Sequence, residues 1–138
     1  MNLDFKISKG GSPEISLTEH SIKKFIPDSI SENDSTLRNS KVTQGITIEG
    51  VIDIRFLGSE IIETDDTRKL ADFSVIPEFE DCYKDVSYEF YDTMGRKVRE
   101  GFLEDVYIVS YEEFFANNRG VGEFKAVIRE RSKGGTLA

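Results

Sequence analysis

Apolar and polar residues alternate along most of this chain, and that alternation predicts strands. Leu3, Phe5 and Ile7 alternate with Asp4 and Lys6, which turns one strand face to a core and the other to water. Gly10-Gly11-Ser12-Pro13 reads as a turn, and Ile15 and Leu17 begin a return strand. Ile22, Lys24, Ile26, Asp28 and Ile30 share one parity, with Pro27 pointing to an edge or a bend. The clearest strand runs from Gln44 to Phe56. Ile46, Ile48, Ile52, Ile54 and Phe56 face one way, and Thr47, Glu49, Asp53 and Arg55 the other. Gly50 lies on the apolar side of that strand and reads as a bend or bulge.

The period changes once. Leu70, Phe73 and Ile76 recur at helical spacing, so a helix is expected over about 65–76, with Pro77 ending it. Thr64 or Asp65 is placed to cap its first N–H groups, and the acidic pair Asp65-Asp66 suits the positive end of the helix dipole. Two strands follow, Asp85–Tyr91 and Phe102–Tyr111, joined across Asp92-Thr93-Met94-Gly95. Val86, Tyr88 and Phe90 share a face. In the second strand Phe102, Val106 and Ile108 share one parity and Leu103, Tyr107, Val109 and Tyr111 the other, so it is apolar on both sides. Asn117 to Gly120 reads as a turn. A last strand, Val121 to Arg131, turns Phe124, Ala126 and Ile128 inward, and 132–138 reads as a flexible tail. The polar stretch Ser31 to Lys41 reads as a long loop, and long loops inside compact domains are often functional. These elements predict a mainly β single domain over 1–138, a small β-barrel or sandwich with one flanking α-helix.

Composition narrows the function. A chain of 138 residues is one domain long and buries roughly two-thirds of its unfolded surface without a staple. Its 18 basic and 26 acidic side chains leave a net charge of −8, which argues against a nucleic-acid partner. No apolar run reaches the roughly 20 residues of a membrane helix, so direct membrane insertion is not expected. The first residues lack the apolar core of a signal peptide. Cytoplasmic synthesis is expected, and the single Cys82 fits a reducing compartment.

The sequence carries no catalytic signature. His20 is the sole histidine and has no partner signature around it. Cys82 follows an acidic run, which disfavours a thiolate. Asp92-Thr93-Met94-Gly95 is near the Asp-Thr-Gly of aspartic proteases, but Met94 breaks the motif and no second copy completes a dyad. The acidic groups Glu63, Asp65, Asp66 and Glu78, Glu80, Asp81 lack the spacing of a calcium loop. No catalytic, cofactor or metal site is expected.

The run from Asp65 to Pro77, then Asp81-Cys82-Tyr83-Lys84-Asp85-Val86, resembles a small clostridial family labelled "membrane-associated protease 1". So do Gly45-Ile46-Thr47-Ile48-Glu49-Gly50, the run Tyr107 to Phe114, and Gly120-Val121-Gly122-Glu123-Phe124. Neither half of that label has a counterpart here, for the chain offers no spanning segment and no protease site. The order of elements is instead similar to the tail-tube proteins of contractile injection systems, which include phage tail tubes and the haemolysin-coregulated protein of type VI secretion. That resemblance implies hexameric rings stacked into a hollow tube, with sheath and baseplate proteins as partners and cargo in the lumen. It also implies that the 31–41 loop reaches a neighbouring subunit. As the loop's only large apolar side chain and only arginine, Leu37 and Arg38 are its expected anchors, with Arg38 expected to meet Glu78, Glu80 and Asp81 of the adjacent copy. A baseplate or tube-cap component, a hydrolase and a ligand-binding barrel are the alternatives the sequence leaves open.

Overall fold

The computed structural model describes residues 1–10, 12–31, 42–52, 54–57, 60–63, 65–76, 82–116 and 122–131. Seven strands form one antiparallel sheet: β1 Asn2–Lys9, β2 Ser12–Thr18, β3 Ile22–Ser31, β4 Val42–Ile52, β7 Lys84–Tyr91, β8 Lys97–Phe115 and β9 Gly122–Glu130. Their order is β2-β1-β7-β8-β9-β4-β3. A separate hairpin pairs β5 Ile54–Leu57 with β6 Glu60–Glu63, and the helix α1 spans Thr67–Ser74.

The sheet curls. β2 and β3 are its two edges, yet only Glu19, His20 and Ser21 separate them in sequence. Rings from distant strands meet inside the curl. Phe25 of β3 lies 6.1 Å from Phe5 of β1 and 4.9 Å from Phe90 of β7. The expected barrel is therefore corrected to a rolled sheet that stays open, because among the described residues no ladder joins β2 to β3. The concave face holds Phe5, Ile7, Leu17, Ile46, Ile48, Val86, Leu103, Val106 and Ile128, all essentially removed from water. All of these but Leu103 and Val106 come from the apolar parity of an alternating strand, and those two reach the same face through a bulge in β8.

Four strand readings change. The Gln44–Phe56 strand ends at Ile52, and Phe56 belongs to the β5–β6 hairpin. β3 does not hold one parity. Its register slips between Ile22 and Lys24, so Ile22 and Phe25 turn inward while Lys24, Ile26 and Asp28 turn outward. β8 starts at Lys97, five residues before the expected Phe102. Its two-sided apolar pattern resolves through two bulges. One extra residue sits between Leu103 and Val106, where Asp105 adopts φ 51°, and a second register shift lies between Ile108 and Ser110. Each bulge reverses the alternation. Leu103, Val106, Ile108 and Tyr111 therefore all face the core, and Phe102, Tyr107 and Val109 face out.

The acidic pair before α1 does not cap the helix. Asp66 occupies the N-cap position without a side-chain cap bond. Both carboxylates reach the exposed edge of β2 instead. Asp66 Oδ2 accepts the Ser16 N–H at 2.9 Å, and Asp65 Oδ2 accepts the Thr18 N–H at 2.9 Å and its hydroxyl at 3.0 Å. The Asp66 N–H returns a bond to the Ser16 carbonyl at 3.3 Å. A free sheet edge presents unpaired N–H groups to any strand that approaches. Here two aspartates occupy them and fasten α1 beside the edge. Asp66→Ala should cost about 1–2 kcal/mol, the penalty of an N–H left without its charged acceptor. Denaturant titration would read it, together with faster amide exchange at Ser16. Unchanged exchange there would mean the latch is not formed.

Candidate interaction surface

Among the described residues, β8 carries the largest concentration of exposed apolar side chains. Phe102 is 57% and Val109 50% exposed, and Val98 and Tyr107 lie on the same strand. At its end Phe114 and Phe115 stand 62% and 61% exposed. Single exposed apolar residues need no explanation, but a strand that offers several is the mark of an interaction surface. The sequence signal was the apolar character of both parities. What the sequence did not give is which residues point out, because that depends on the two bulges.

Around this face the charges are paired locally. Lys97 sits 2.9 Å from Glu89 and 3.1 Å from Glu100, and the Tyr91 hydroxyl donates to Glu89 at 2.7 Å. Lys97 holds the Glu89 carboxyl below its usual range, and Glu89 in turn pushes the Lys97 ammonium and the Tyr91 phenol up. On the neighbouring strands Arg129 crosses over Gly45 to meet Asp28 at 2.7 Å and the Thr43 carbonyl at 3.1 Å. A hollow of about 430 Å³ opens beside α1, lined by Phe73, Ile76, Cys82, Tyr83, Tyr107 and Arg131. The Arg131 guanidinium lies 4.6 Å from the Tyr83 ring centroid, and Tyr83 meets Tyr107 edge-on at 6.0 Å.

The residues considered for chemistry are not assembled into any. The His20 ring is exposed, 3.6 Å from Glu19, and no hydrogen bond joins it to a hydroxyl or thiol among the described residues. Cys82 is buried. Asp92 closes a hairpin turn: its Oδ1 accepts the Met94 and Arg96 N–H groups at 2.8 and 2.9 Å, which hold its carboxyl below the usual range. Among the described residues no group of His, Cys, Asp and Glu could hold a metal ion, and no helix is long and apolar enough to cross a membrane. Leu37, Arg38, Glu78, Glu80 and Asp81 lie outside the described residues, as do 32–41 and 132–138.

Glu19 has a structural duty. Its Oε1 accepts the Leu3 N–H at 2.9 Å, tying the end of β2 to the start of β1. That bond lowers its pKa below the ordinary 4.5. A carboxyl with a depressed folded pKa stabilises the fold above its unfolded value and loses that contribution as the pH falls through the folded one. The wild type should therefore lose stability relative to Glu19→Gln as the pH falls below the ordinary 4.5 and through the lowered folded value. Parallel pH dependences in the two proteins would rule this out.

No protein-family model matches the chain, and no curated protein matches it. Among solved structures, Hcp1 from Flavobacterium johnsoniae superposes along the whole length. It covers 99% of this chain and 98% of its own, with a TM-score of 0.51 and 17% sequence identity. The two chains share a fold. At that identity the likeness speaks for architecture alone, a mainly β domain with one short helix, as the order of elements predicts.

Proposed function

We propose that this chain is a structural subunit of the hollow inner tube of a contractile injection system or phage-tail-like particle, assembling as stacked hexameric rings. The observation that carries this reading is the end-to-end likeness to Hcp1, with neither chain leaving a domain unmatched. The exposed apolar side chains Phe102, Tyr107 and Val109 of β8 support it, since a ring subunit must cover surface that a monomer leaves wet. In this reading the protein is not an enzyme. It is made in the cytoplasm, enters a particle with sheath and baseplate proteins, and can be released or injected with cargo in the lumen. The 31–41 segment reaches the neighbouring subunit, with Leu37 and Arg38 as anchors and Glu78, Glu80 and Asp81 receiving Arg38.

Negative-stain microscopy of concentrated purified protein should show rings or tubes. Replacing 31–41 with a short Gly-Ser linker should abolish them while leaving the circular dichroism unchanged. A protein that stays monomeric at every concentration would sink the tube reading. Rings that never stack would move it to a baseplate or cap role.

A further inference from the structure

Four adjacent strands carry one row of charges in cross-strand register. Lys24 of β3 stands opposite Glu49 of β4, Glu49 opposite Lys125 of β9, and Lys125 opposite Glu112 of β8. All four lie on the outward face, because their chain neighbours Phe25, Ile48, Phe124, Ala126 and Tyr111 belong to the core side. The signs alternate: plus, minus, plus, minus. Cross-strand neighbours stand about 5 Å apart at Cβ, close enough to pair. Yet none of the four joins an ion pair or hydrogen bond among the described residues, whereas Arg129 and Asp28 on the same face are closed at 2.7 Å. The face is hollowed here, with a cavity of about 600 Å³ bordered by these four side chains and Phe114.

An alternating row has a symmetry property. Turned over about a two-fold axis that runs along the strands, between β4 and β9, the row meets its own complement. Lys24 then faces Glu112 of the second copy, Glu49 faces Lys125 of the second copy, and both contacts recur by symmetry. The row sums to zero, while the chain as a whole carries −8. Two copies repel over most of their surface and not across this strip. Phe114, one step beyond Glu112 on the outward side of β8, falls at the β3 end of the second copy, where Lys23 and Lys24 can cover its ring. Stacked sheets cross at about 30°, which displaces the row's ends, about 7 Å from the axis, by roughly 4 Å. Lysine and glutamate side chains span that offset.

The geometry points to the outward face of β3-β4-β9-β8 as a self-docking surface that seats a second copy of this chain with two-fold symmetry. Such a contact closes at two copies and builds no ring by itself. It is therefore separate from the ring contacts of the tube reading.

The test uses Lys24→Glu and Glu112→Lys, both at exposed positions and both checked by circular dichroism. Sedimentation of the wild type should give twice the single-particle mass at low salt and revert to the single mass at about 0.5 M salt, where surface charges are screened. Each variant alone places like charges at two symmetry-related contacts and should weaken association at least about tenfold. An equimolar mixture of the two variants restores every opposite pair and should regain the doubled mass. A wild type with no salt-sensitive doubling, or a mixture that behaves like its separate components, would overturn the proposal. Either result leaves the presence or absence of rings in micrographs to judge the tube reading on its own.

Discussion

Phe73→Ala should destabilise the fold by about 3–5 kcal/mol, the range for removing a buried aromatic ring. Phe73 is 4% exposed and shares the buried face of α1 with Leu70, which is fully covered. The helix has only eight residues, too few to persist alone in water, so packing must hold it. Two attachments do so. Asp65 and Asp66 tie its start to β2, and Leu70 and Phe73 enter the core cluster. Phe73 also anchors its surroundings, since the Lys84 ammonium lies 5.3 Å from its ring centroid and is paired with Glu14 of β2. Loss of the ring removes buried apolar area and the partner of a cation together. The midpoint of denaturant unfolding should fall with little change in slope. A midpoint unchanged within error would mean that the helix does not dock through Phe73.

Much of this architecture was legible because a strand's side-chain period is two and a helix's is 3.6. Leu3-Phe5-Ile7, Ile46-Ile48 and Phe124-Ala126-Ile128 point where alternation says, and Leu70 and Phe73 pack where helical spacing says. What alternation could not supply is the bulge. β8 looks equally apolar on both sides until two inserted residues change its parity, and no single residue type announces them. Asp105, at φ 51°, is the sort of residue that tolerates the left-handed region, but an aspartate alone is too common to mark a bulge. The sequence offers Asp65 as a local cap and the acidic pair Asp65-Asp66 as a partner of the helix dipole, because it shows only the helix ahead of the pair. Its partners, Ser16 and Thr18, lie 50 and 47 residues away. The charge row Lys24-Glu49-Lys125-Glu112 was invisible for the same reason, being drawn from four strands whose register only the fold supplies.

Among the described glycines, Gly50→Ala should be the most damaging substitution, costing on the order of 3 kcal/mol or more through overpacking against backbone. Gly50 faces the core from β4, opposite Phe124 of β9 and Ile22 of β3. An added Cβ would overlap the Ser21 carbonyl oxygen, reach 2.8 Å from its carbon and 3.0 Å from the Phe124 ring. That carbonyl cannot move aside freely, because it accepts the Val51 N–H at 2.8 Å where the chain turns from β2 into β3. It also sits beside the register slip between Ile22 and Lys24, which turns Phe25 inward onto Phe5 and Phe90. One methyl group at Gly50 would therefore press on the short connection that lets the sheet roll up. The sequence marked Gly50 as a bend in its own strand. The structure places the irregularity in the facing strand, and the glycine is the space it requires. Thr47→Ala, on the outward side of the same strand, should change stability by no more than about 0.5 kcal/mol and serves as the control. If Gly50→Ala unfolds at the same denaturant concentration as Thr47→Ala, then the close approach of Ser21 is not what sets the entry of β3, and the rolled sheet is held by its core alone.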